Sequence, residues 1–245
     1  MTHLLLAAKP TTDPSAPTRL AVPAARAWFA VAGLALAGYP LLRPWGAESD
    51  PATFASTLWP VSHALGVVGF VALAVALRIL AGRQAEVGAA SAGWNSAGRG
   101  SGSASGSLGG WRGQPFRKAE SRAWLAVAGL LPYYGAEAFG LHALGAYVVG
   151  GGDSGALAVA DDFRYGTLPM TFFAVGLVAL AFVGARVISG WGRTLDLPGV
   201  GAWLAGLGLL TYLPQFFTPG PVRIAHGVAL GAGLVILALV PRRAA

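Results

Sequence analysis

The chain has 245 residues, of which 55% are hydrophobic and 11% charged, against about 25% charged in an average soluble domain. So little charge cannot cover a water-soluble surface, which excludes an ordinary soluble domain and points to a polytopic membrane protein. Cysteine is absent, which excludes disulfides, thiolate metal sites and thiol catalysis.

The net charge of +7 raises nucleic acid or anionic lipid as partners, and the placement of the charges decides between them. Residues 1–25 are rich in Pro, Thr and Ala. The apolar run Leu4–Ala8 stops at Lys9 and Pro10, too short for a signal-peptide core. This stretch reads as a cytoplasmic tail, followed by one membrane domain over 26–245.

Six apolar segments follow: Ala27–Leu42, Thr57–Leu77, Ala123–Val149, Thr167–Ile188, Gly199–Phe217 and Ile224–Val240. A span needs about 20 residues at 1.5 Å rise each, and Trp, Tyr and Arg at their ends extend the shorter ones into the interface. The runs are continuous rather than alternating, so the expectation is an all-α bundle of six transmembrane helices. With the N-terminus inside, Lys and Arg divide 14 inside to 3 outside. The three outer ones are Arg43, Arg164 and Arg223. This positive-inside asymmetry puts both termini in the cytoplasm. It accounts for the basic excess through topology and anionic inner-leaflet lipid, without nucleic acid.

Residues 82–121 form the long inner loop, whose middle SAGWNSAGRGSGSASGSLGG reads as a flexible Gly/Ser linker. It holds no GxxxxGK[ST] phosphate loop. Of the outer loops, the one over 150–166 carries ALAVA before DDFRYG, and a short surface helix is expected there. Asp161 and Asp162 suit a cation or simply a solvated acidic face.

Three segments start alike: AWFAVAGL at Ala27, AWLAVAGL at Ala123 and AWLAGLGL at Ala202. Each opens an odd-numbered span with its Trp (Trp28, Trp124, Trp203) at the inner interface. The even spans from Pro60, Pro169 and Pro221 also echo one another. The pattern predicts three helical hairpins of the same orientation, related about an axis along the membrane normal. Ala136, Gly140 and Ala143 are spaced to share a helix face, and Gly227 and Gly231 form a GxxxG. Pro132 removes a helix hydrogen bond and is expected to kink the third span near Tyr133.

The third span also carries the chemistry. Glu137 lies near its middle, where a lone carboxylate is unstable and must pair or take up a proton. Tyr133 and Tyr134 stand one turn earlier and can hydrogen-bond it. The expected cationic partners are the histidines or Arg223. The residue is then either an ion- or proton-coupling carboxylate or a structural hydrogen-bonded group. His63, His142 and His226 fall at similar depth on the second, third and sixth spans. Converging, they could ligate a divalent metal or haem iron; apart, each would hydrogen-bond a neighbouring helix. Glu137 and His142 are about 140° apart on a regular helix, so one site using both needs a kink or local unwinding. Pro214, Pro219 and Pro221 interrupt the outer turn, where Tyr212, Gln215, Arg223 and His226 could point into an outer cavity or belong to an aromatic belt. No GxSxG elbow or HExxH motif supports hydrolysis.

At PYYGAEAFGLHALG and LPQFFTPGPVRIAHG the chain resembles a group of six-span bacterial, mostly actinobacterial, integral membrane proteins of unassigned function. The resemblance implies a plasma-membrane location and the same topology; it implies no activity, cofactor or catalytic residue. The functional expectation is an outward-facing polar site binding or transporting a small molecule or ion. Its lining would be Glu137, Tyr133, Tyr134 and Arg223. The alternatives are a haem- or metal-binding redox protein and a non-catalytic accessory subunit.

Overall fold

The computed structural model describes residues 16–46, 50–97, 115–192 and 196–240. Among them the regular structure is helical throughout, as long apolar runs require when no water can satisfy the backbone. Helix α1 spans Ala16–Leu42, α2 Pro51–Ala55, α3 Leu58–Ala97 and α4 Pro115–Gly135. A π-helical turn, Ala136–Leu141, leads directly into α5, His142–Val149. A 3₁₀ turn, Ser154–Ala158, precedes α6 (Val159–Tyr165) and α7 (Thr167–Trp191). Helix α8 (Leu197–Leu210) is joined to α9 (Gly220–Leu239) through a 3₁₀ turn, Pro214–Phe217.

Among the described residues four helical segments are long and apolar enough to cross a membrane: Pro23–Leu42, Leu58–Glu86, Thr167–Trp191 and Gly220–Leu239. Helix α8 is apolar but has 14 residues. The helix through α4, the π turn and α5 is divided by its change of winding.

The long helices form a closed ring. Each of α1, α3, α4, α7, α8 and α9 packs on its neighbours in sequence, and α9 returns to pack on α1. Small residues set these crossings. A Cβ at Gly33 of α1 would lie 2.6 Å from the Gly231 carbonyl of α9, and one at Gly129 of α4 would lie 2.6 Å from the Phe172 carbonyl of α7. These backbones approach closely only because no side chain separates them. The GxxxG of α9 is thus spent within the chain, with Gly227 against Pro40 and Gly231 against Gly33 of α1. Inside the ring lie Leu36, Phe70, Leu73, Leu77, Leu130, Tyr134, Leu180, Leu209, Leu230 and Leu234, all buried.

The structure adds local detail to these expectations. The N-terminal stretch is helical from Ala16, and α3 continues to Ala97, sixteen residues into the segment assigned to the 82–121 loop. The Gly/Ser-rich 98–114 and residues 1–15 lie outside the described residues. The third long helix carries a π turn at Ala136–Leu141, just beyond Pro132. Ala136, Gly140 and Ala143 therefore do not act as one packing face: Ala143 is exposed, and the close approach is made by Gly145. A Cβ there would lie 2.7 Å from the Phe54 Cβ of α2.

Helix α2 has Pro51 in its first turn and is capped by Asp50, whose Oδ1 accepts from the Ala52 N–H at 2.9 Å. It lies against α5 at the end of the bundle that also carries α6 and the α8–α9 turn. That end, the cavity end below, holds the site.

Candidate functional site

Glu137 sits in the π turn, 3% exposed. A π turn widens the helix and rotates side chains off the regular α register, and such turns recur at functional sites. Here the turn aims a carboxylate at two neighbours. Its Oε1 accepts a hydrogen bond from Arg164 Nε at 2.7 Å, and its Oε2 lies 3.6 Å from His63 Nε2. Its backbone carbonyl accepts from Trp59 Nε1 at 2.7 Å. A buried carboxylate needs this much company, because its desolvation is offset only by good geometry and satisfied lone pairs.

Arg164 reaches the carboxylate from α6. Ala160, Phe163 and Arg164 follow i, i+3, i+4 spacing and turn inward, while Asp161 and Asp162 are exposed on the other face. Asp153 Oδ1 accepts from the Gly155 N–H at 3.0 Å and starts the turn before this helix. Burial opposes the Arg164 charge, but the Glu137 carboxylate overcomes it and holds the guanidinium above its ordinary pKa. The charged partner of Glu137 is therefore Arg164, not Arg223.

His63 Nδ1 is 2.8 Å from the Trp59 carbonyl, which can only accept, so Nδ1 carries a hydrogen and Nε2 is the nitrogen that faces Glu137. The imidazole is enclosed by aromatic rings, Trp59 at 4.6 Å and Tyr39 at 5.3 Å between centroids.

These groups form the floor of a cavity of about 350 Å³. On the polar side it is lined by Tyr39, Arg43, His63, Tyr133, Tyr134 and Glu137, with Arg164, Tyr165 and Arg223. The apolar side is made by Met170, Phe173, Ala174 and Leu177 of α7 and by Leu213, Phe216 and Phe217 of the α8–α9 turn. Burial grades across it: His63, Glu137, Arg164 and Phe173 are buried, whereas Met170, Leu213 and Phe217 are exposed. The floor is polar and the mouth apolar.

Each expected site residue has a definite place. Tyr133 lines the cavity, stacked on Phe173 at 4.1 Å, with its phenol beside Glu137. Tyr134 turns to the centre of the ring, where its hydroxyl is 2.8 Å from the Tyr212 hydroxyl. Arg223, in the first turn of α9, lines the cavity while donating through Nε to the Thr218 carbonyl at 2.8 Å and through a second nitrogen to the Phe216 carbonyl.

The histidines do not converge. His142 Nδ1 is 2.9 Å from the Phe54 carbonyl, and His226 Nε2 is 3.0 Å from the Thr211 hydroxyl. Only His63 lines the cavity. Among the described residues no group of three His, Cys, Asp or Glu is placed to hold a metal ion. Each imidazole instead satisfies a neighbouring polar group.

Four participants are not among the site residues expected from the sequence: Arg43, Trp59, Tyr39 and Arg164. Arg43, at the end of α1, has its guanidinium 5.0 Å from the Trp45 ring and 4.9 Å from the Trp59 ring. For Arg164 a signal existed, the i, i+3, i+4 spacing of Ala160, Phe163 and Arg164 in ALAVADDFRYG. No family model, curated protein or solved structure matches the chain. What the site can do must therefore be read from its geometry. The lining holds no serine, threonine or cysteine nucleophile. It offers charged side chains at the base of an apolar-walled space.

Proposed function

We propose that the chain is a six-span bacterial plasma-membrane protein that binds, and in doing so transports or senses, a small molecule in the cavity floored by Glu137. The observation that carries this reading is the buried Glu137–Arg164–His63 cluster at the base of a space of about 350 Å³, within the size range of small-molecule sites. Ionisable groups at membrane depth are costly to keep for packing alone. The distribution of Lys and Arg favours both termini inside, which puts the cavity end outside. The ring order favours three hairpins, α1 with α3, α4 with α7 and α8 with α9, each leaving the cytoplasm and returning to it. The separate partners of His63, His142 and His226 give a haem or metal reading no support.

The absence of cysteine makes the test direct. Ala174→Cys, on the cavity wall, is expected to react with a membrane-impermeant thiol reagent added to intact cells, whereas Ser189→Cys at the far end of α7 reacts only after permeabilisation. Labelling of Ser189→Cys from outside would reverse the orientation. Ala174→Cys that resists reagent from both sides, in folded protein, would remove the open cavity.

A further inference from the structure

Resting on that cavity, we propose that its ligand is a membrane-borne amphiphile with an uncharged, hydrogen-donating head, of the alkylphenol or quinol class, which enters sideways from the lipid. The first observation is where the cavity opens. Helix α8 has 14 residues beside the 25 of α7, so at about 1.5 Å per residue it stops well short of the cavity end of α7. The turn Pro214–Phe217 follows in place of a further helical stretch. Of the residues lining the cavity, Met170, Leu213 and Phe217 are exposed, Phe217 by 84%. They continue two exposed apolar strips, Phe172, Val175 and Val178 on α7 and Leu207 and Leu210 on α8. Such strips face acyl chains when a bundle lies in a bilayer, so the mouth between α7 and the turn is an opening in the lipid-facing wall.

The second observation is what the floor presents. His63 Nε2 and Glu137 Oε2 face each other at 3.6 Å, beyond hydrogen-bond length. With Nδ1 carrying a hydrogen toward the Trp59 carbonyl, a neutral imidazole accepts at Nε2, as does a carboxylate oxygen. Two acceptors side by side suit one O–H placed against both. Arg164, 2.7 Å from Glu137 Oε1, matches the carboxylate charge, so the floor pair offers a ligand lone pairs rather than a counter-charge. An uncharged donor meets that arrangement, whereas an anionic head would set its own lone pairs against Oε2.

The third observation is the wall between floor and mouth. Tyr39, Tyr133, Phe173, Phe216 and Phe217 line it with aromatic rings, against which a ring-shaped head packs better than an aliphatic one. At about 350 Å³ the space is near the small end of ligand sites. It suits one ring and the first carbons of a tail, with the rest of the tail leaving past Met170, Leu213 and Phe217. A polar floor under an apolar mouth is the grading of an amphiphile inserted head first.

The test uses the full chain in nanodiscs of zwitterionic lipid, titrated calorimetrically and corrected against empty nanodiscs for partition into lipid. The probes are 4-octylphenol, 4-octylanisole, 4-octylbenzoate, 4-octylphenyltrimethylammonium and 4-ethylphenol. The octylphenol is expected to bind about tenfold or more tightly than its methyl ether, which keeps ring and tail and loses the donor. It is also expected to bind about tenfold or more tightly than 4-ethylphenol, whose tail does not reach the mouth. His63→Phe should bring 4-octylphenol down to the affinity of 4-octylanisole and leave the ether's own affinity unchanged, which shows that the cavity is still folded. The proposal is overturned if the ether, the benzoate or the ammonium binds as tightly as the octylphenol. It is equally overturned if 4-ethylphenol matches 4-octylphenol, or if His63→Phe keeps the preference for phenol over ether. In those cases binding that is lost in Ala174→Trp still upholds the cavity as a ligand site. Absence of binding by every probe overturns the proposal, and labelling of Ala174→Cys then judges the open cavity separately.

Discussion

At the scale of the residue, the arrangement turns on one carboxylate that cannot be buried alone. The Glu137–Arg164 pair is hydrogen-bonded and out of solvent, and removing one member leaves an uncompensated charge. Arg164→Leu is accordingly expected to destabilise the folded protein by about 3–5 kcal/mol, measured by unfolding in detergent. Combining it with Glu137→Leu should recover much of that loss, because two apolar groups leave no orphan. Equal instability of the single and double variants would show that the two side chains are not coupled. The Tyr134–Tyr212 hydroxyl pair gives a smaller expectation. Either Tyr→Phe change should cost about 1–2 kcal/mol, and the double change should cost less than the sum of the two. Strict additivity would mean that the bond contributes nothing. The need for a partner was legible in the sequence, because an acid in an apolar helix demands one. Its identity was not, since Arg164 lies 27 positions away on a short helix in the connection before α7, where the inward spacing of Ala160, Phe163 and Arg164 marks a buried face but not what it meets.

At the scale of the element, glycine positions separate the crossings that are tight from those that are not. Gly129→Ala would set its new carbon 2.6 Å from the Phe172 carbonyl and 2.8 Å from Gly176 Cα, forcing α4 from α7 at a cost of about 1–3 kcal/mol. Gly82, in α3, has open space around an added Cβ, so Gly82→Ala should stabilise the helix by about 0.4–1 kcal/mol. Opposite signs in thermal unfolding are expected, and a stabilising Gly129→Ala would contradict the close crossing. The apolar runs gave the long helices because a continuous hydrophobic stretch leaves its backbone one way to satisfy itself. The π turn was hidden for a different reason. It is held by partners on α3 and α6 that lie far off in sequence, Trp59 donating to the Glu137 carbonyl and Arg164 to its carboxylate, and Pro132 pointed to a disturbance four residues earlier. The packing glycines were legible as a pattern, but which helix each one meets is set by ring closure.

At the scale of the whole molecule, the ring and the charge distribution together explain why one end is suited to ligand capture. Six long helices joined to their sequence neighbours leave a common axis filled with Leu and Tyr through most of its length. At the end bearing α2, α6 and the α8–α9 turn, among the described residues, the filling gives way to polar groups around a space. The sequence disclosed that this end carries few basic residues; the structure adds that Arg43, Arg164 and Arg223 are gathered about one cavity. The most direct measurement is the reaction of Ala174→Cys in intact cells with a membrane-impermeant methanethiosulfonate, compared with that of the far-end Ser189→Cys. A cavity open to the outside predicts that Ala174→Cys is modified from outside and Ser189→Cys is not. No reaction of Ala174→Cys from outside in folded protein would contradict it.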